Sequence, residues 1–89
     1  MSAHAFAQAP VAPTELSLTV RSSSQVDMTW RDNSNNETGF YVYRSTDDMT
    51  YWHVGNVAAN VTSFSDTSVQ EYTFYYYRVY AYNGGTASL

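Results

Sequence analysis

The stretch that decides the fold is Val69 to Tyr82, VQEYTFYYYRVYAY. Read with a period of two, it sets Tyr75, Tyr77, Val79 and Ala81 on one face and Phe74, Tyr76, Arg78, Tyr80 and Tyr82 on the other. Seven of its last nine residues are aromatic or β-branched, the side chains that pack best on a pleated surface. It reads as a central strand, too apolar on both faces to be left as an edge in water. Whatever pairs with it and covers it decides what the protein does.

Directly after it, Asn83-Gly84-Gly85 signals a hairpin turn. Before it, Asn60 to Asp66 makes a short strand carrying Val61 and Phe64, and Tyr51 to Val57 makes another, preceded by a turn at Asp47-Asp48. Phe40 and Val42 follow an inward pattern with Tyr41 and Tyr43 outward, and Asp32 to Gly39 is a polar loop. Further upstream, Leu16, Leu18 and Val20 alternate with Ser17, Thr19 and Arg21, and Val26, Met28 and Trp30 alternate with Asp27, Thr29 and Arg31. Joined by the polar turn Arg21 to Gln25, these segments read as an antiparallel hairpin with one buried face on each strand. Pro10 and Pro13 bracket an extended entry. No helical periodicity occurs. Strands at this spacing indicate an all-β, two-sheet sandwich over residues 10–89.

Residues 1–9, MSAHAFAQA, form an N-terminal arm with two readings. Its Ala-Gln-Ala ending resembles the small-residue site of a secretory signal, without the apolar run that precedes such a site. It also alternates, with Ala3, Ala5, Ala7 and Ala9 on one side and Phe6 among the residues on the other, as a strand does.

Composition excludes several classes. With 44% hydrophobic and 17% aromatic residues, the 89-residue chain has the make-up of one folded domain. Eight carboxylates stand against four arginines and no lysine, a formal charge of −4, so nucleic acid is not an expected partner. No apolar run reaches the roughly 20 residues of a membrane helix, and no membrane insertion is expected. Cysteine is absent, which removes disulfides and thiolate metal sites. His4 and His53 have no HxH or HExxH spacing, Asp47-Asp48 lacks a calcium loop around it, and Ser22 to Ser24 lack a triad motif. No catalytic site, metal or cofactor is expected.

In this order the residues resemble a fibronectin type III domain of the kind found in secreted bacterial proteins. The carriers are Ala12-Pro13 leading to Leu16, Val26-x-Met28-x-Trp30, the loop from Asp32 to Phe40, Arg44 to Asp47, Ala59 to Asp66, and Tyr75 to Val79 with Ala81 to Asn83. The resemblance implies an immunoglobulin-like Greek-key sandwich with sheets A-B-E and C′-C-F-G. It makes Trp30 the buried strand-B tryptophan and Tyr75 the tyrosine-corner residue. Two departures stand out. Where the family usually carries a leucine and then Pro-Gly-Thr before the corner tyrosine, this chain has Val69-Gln-Glu-Tyr-Thr-Phe74, which puts the corner geometry at issue. Where the family carries a full strand G, only Thr86 to Leu89 remain, so strand F is expected to keep an open edge.

From this register Tyr41, Tyr43, Trp52, Phe74, Tyr76, Arg78, Tyr80 and Tyr82 form an outward aromatic face on the C′-C-F sheet. Tyr, Trp and Arg anchor interfaces, and a cluster of this size exceeds what monomers usually leave in water. The expected function is a non-catalytic, extracellular protein-protein interaction module using that face and the strand-F edge. One alternative is a self-assembling subunit whose arm (Ala3, Ala5, Phe6, Ala7, Ala9) complements the edge of a second copy. The other is an engineered binder on a type III scaffold. Carbohydrate stacking on the face is a lesser possibility. Asn36 and Asn60 fit the glycosylation pattern N-x-[ST].

Overall fold

The computed structural model describes residues 1–3 and 9–88. Seven strands form two sheets: β1 (Thr14–Ser22), β2 (Gln25–Arg31), β3 (Gly39–Ser45), β4 (Trp52–Ala58), β5 (Ser63–Asp66), β6 (Tyr76–Asn83) and β7 (Thr86–Ala87). The first sheet runs β1-β2-β5 and the second β4-β3-β6-β7, with every pairing antiparallel. This is the two-sheet order that the resemblance implies.

The inward positions of β2, β3 and β6 build the core. Met28, Trp30, Phe40, Val42 and Ala81 are buried together, with Val54, Val57, Phe64, Tyr77 and Val79 packed around them. Trp30 meets Phe40 edge to face with centroids 5.5 Å apart, the arrangement ring quadrupoles favour.

Three expectations are corrected. The aromatic stretch is not one strand from Val69, because β6 begins at Tyr76 and the preceding residues form a loop. The reason is Tyr72, which sits at φ 57°, a left-handed conformation no strand holds. At the loop's end the Gln70 amide donates to the Tyr75 hydroxyl at 2.9 Å, so the tyrosine corner forms without the family's usual turn residues.

The second correction concerns β1. Leu16, Leu18 and Val20 alternate as expected but are exposed, Val20 at 75%. β1 is an edge strand, and a cleft of about 380 Å³ separates its Leu16 from Trp30, Tyr77 and Val79. The third concerns β4. Val42 pairs with Gly55 but Tyr43 pairs with His53, leaving Val54 as the extra residue of a β-bulge. Everything upstream of Val54 in β4 therefore changes face. The chain bulges beside a glycine: a Cβ on Gly55 would press into the Phe64 ring.

Candidate functional site: a tyrosine face and a strand edge

β3 and β6 pair directly from Gly39↔Tyr82 to Ser45↔Tyr76, so their outward residues share one surface. Each tyrosine meets a diagonal neighbour there. Tyr82 crosses its partner Gly39 and stacks on Tyr41 at 4.0 Å and 9°, and Tyr80 meets Tyr43 edge to face at 5.6 Å. Gly39 makes the first contact possible, since a Cβ there would meet the Tyr82 ring. His53 closes the row from β4, 5.8 Å from Tyr41 and 5.7 Å from Tyr43.

The loop between β3 and β4 extends the same surface. Ser45 Oγ accepts from the amides of Asp47 and Asp48, and Asp47 Oδ1 accepts from those of Met49 and Thr50. With those amides donating, the Asp47 carboxyl is held at about 2. This knotted turn sets Tyr51 over Arg78, whose guanidinium lies 4.2 Å from the ring centroid. The Tyr51 hydroxyl donates to Asp48, which pushes its pKa up, and Arg78 lies 3.7 Å from the same carboxylate. Between Tyr41, Tyr43, Tyr51, Tyr80 and Ala87 a shallow hollow of about 360 Å³ remains open.

Five of the eight residues placed on this face by sequence, Tyr41, Tyr43, Arg78, Tyr80 and Tyr82, are brought together there. Tyr76 shares their parity, but its ring contact is with Phe74 at 5.3 Å, and Phe74 lies in the loop before β6. Trp52 is not on the face. The bulge at Val54 pairs it with Arg44, whose side chain turns towards Asp66 of the other sheet, and leaves the indole 70% exposed. Without the bulge Trp52 would stand opposite Ser45, on the tyrosine side. Sequence reasoning missed Tyr51 and His53. The Asp47-Asp48 turn was the available signal for the first, and no sequence signal marks a bulge.

The second feature is the edge of β6. β7 pairs with Tyr82 and Asn83, and the Ser88 amide donates to the Ala81 carbonyl at 2.7 Å. Past Ala81, among the described residues, no strand pairs with this side of β6. Ala81 bonds on the β7 side, so by alternation the amides and carbonyls of Tyr77 and Val79 point the same way.

Other expected sites disperse. Ala3 and Ala9 lie in exposed chain, and Ala5, Phe6 and Ala7 of the candidate donor strand, with His4, lie outside the described residues. Asn36 and Asn60 occupy exposed turns, Asn60 at φ 66°. Among the described residues no group of three or more His, Asp or Glu is placed to hold a metal ion, and no helix is long and apolar enough to cross a membrane.

The fold, the sheet order and the tyrosine corner define an immunoglobulin-like sandwich. The chain belongs to the fibronectin type III family, whose domain model matches residues 11–89. It is similar to a solved Fn3-like protein from Clostridium thermocellum, 31% identical, with a TM-score of 0.76 over 92% of this chain and 85% of that one. It also resembles the FN3 domain of human collagen XX (20% identical, TM-score 0.74, 99% of this chain and 91% of that one). A third likeness is to the chicken CNTN1 FN1–FN3 domains (22% identical, TM-score 0.79, 91% of this chain and 28% of that one). The chain spans less than a third of the CNTN1 and titin structures it matches. No curated protein sequence matches it. The family is generally non-catalytic and commonly serves protein interaction.

Proposed function

We propose that the domain is a non-catalytic, extracellular interaction module that contacts a protein partner through the tyrosine face of the β4-β3-β6 sheet. The observation that carries this is the pairing of Tyr41 with Tyr82 and Tyr43 with Tyr80 into a rigid row beside an open hollow. Such rings give large contact area for little lost rotamer freedom. The test begins by capturing a partner from the proteins of the natural source. Tyr43→Ala and Tyr80→Ala should then weaken binding by about tenfold or more, and Thr29→Ala, on the other sheet, should leave it unchanged. Equal effects at all three positions contradict the reading.

A second reading is favoured by the cleft between β1 and β6. An extended segment of a second copy adds to the β6 edge, its backbone meeting Tyr77 and Val79 and its apolar side chains filling the space beside Leu16 and Trp30. Light scattering over a concentration series tests this: growth in mass that stops on deleting residues 2–9 supports strand exchange through the arm, and a monomer throughout rules it out.

A further inference from the structure

The tyrosine face has an unusual chemical polarity. Ring faces and edges line it, and the hydroxyls of Tyr41, Tyr43 and Tyr82 make no hydrogen bond within the described protein, although each can donate one. The carboxylate beside the row, Asp48, is already engaged by Tyr51 and Arg78. The backbone beneath is closed as well, because β3 is paired on both sides. The surface therefore offers apolar grooves and free donors, without a ladder on which a strand could be laid flat.

We infer, resting on the reading of this face as the binding surface, that its occupant is a proline-rich segment in the polyproline II conformation. The argument is one of matching needs. A polyproline II backbone makes no internal hydrogen bonds, so its carbonyls remain free acceptors, and proline has no amide to satisfy in return. Its rings pack on aromatic grooves at low entropic cost. The other occupants fit less well. An α-helix has its carbonyls bonded within itself. A flat-lying strand would carry unpaired amides onto a surface with few acceptors. A sugar presents hydroxyls that need acceptors as well as donors. Charge adds a preference: Asp47 and Asp48 border the row and the chain carries a formal −4, which favours a basic flank on the segment.

The experiment is a two-dimensional NMR titration of the whole chain with a synthetic peptide of repeated Arg-Pro-Pro. The comparison is an arginine-matched Gly-Ser peptide of equal length. The inference expects saturable shifts at Tyr41, Tyr43, Tyr80 and Tyr82, with the proline peptide bound about tenfold tighter or more. Tyr→Phe changes at positions 41, 43 and 82 together keep the rings, and so the fold, while removing the donors. They should weaken binding by about tenfold. Binding unaffected by the triple change, equal binding of the two peptides, or no saturation at millimolar peptide overturns the inference. So does a response of the same residues to cellohexaose but not to the peptide. A protein partner bound through Tyr43 while the proline peptide fails to bind overturns this inference alone and leaves the tyrosine-face reading standing.

Discussion

Tyr72 holds a conformation that favours glycine. At φ 57° its Cβ crowds the backbone, and its ring, wholly exposed, gains nothing from packing in return. Tyr72→Gly should therefore stabilise the domain by up to about 1 kcal/mol in urea denaturation, and a loss of stability would show that the ring makes a contact in solution. Asp66 presents the opposite case. Burial pushes its carboxyl up, but hydrogen bonds from the Ser68 hydroxyl and amide, the Tyr77 hydroxyl and Arg44 outweigh burial and leave it lowered. A carboxyl depressed on folding contributes stability above the unfolded value of about 3.9, lost as pH falls through the folded value. Tyr77→Phe should cost about 1–3 kcal/mol at pH 7 and shrink that acid-side loss, measured by urea midpoints from pH 2 to 7. Glu37 runs the other way. It is buried, its carboxyl is raised chiefly by the hydrogen bond with Asp32 and then by burial, and its Oε2 has no partner. A raised carboxyl contributes stability at low pH that is lost as pH rises through the folded value. Glu37→Gln, which keeps a neutral donor towards Asp32, should raise the urea midpoint at pH 7 and leave it little changed near pH 4. A uniform loss at both would contradict the shared-proton account.

At the scale of elements, alternation predicted which way β2, β3 and β6 face, because burial on one side leaves a period of two in the sequence: Met28 and Trp30, Phe40 and Val42, Val79 and Ala81 all lie inward. It failed at β4. A bulge adds one residue without altering composition, so Trp52 and His53 exchanged faces and the candidate site lost a tryptophan and gained a histidine. It failed again before β6, where Tyr72 looks like strand and behaves as turn. The consequence is a contrast between two aromatic residues. Tyr82→Ala removes a stacked pair and should cost about 1–2 kcal/mol, while Trp52→Ala, at 70% exposure, should change stability by less than about 0.5 kcal/mol. Equal costs would mean that the bulge is misplaced. Hydrogen exchange reads the β6 edge: the amides of Tyr77 and Val79 should exchange faster than those of Arg78 and Tyr80, which face β3.

For the molecule as a whole, the sandwich was legible because its core is built from residues that repeat every second position in three strands. What lies on its outside was legible only in part. Tyr41, Tyr43, Tyr80 and Tyr82 are outward by parity, but nothing in the sequence showed that Tyr82 reaches across Gly39 to stack on Tyr41, or that the Ser45 to Thr50 turn brings Tyr51 over Arg78. Those contacts turn scattered aromatics into a preorganised surface, and the account rests on that surface being where the partner binds. Photo-cross-linking tests this most directly, with a benzophenone side chain replacing Tyr43 in one protein and Thr29 in another, each exposed to the natural source's extracellular proteins. The account predicts a discrete adduct from position 43 and none from position 29. Adducts from position 29 alone, or the same adducts from both, would contradict it.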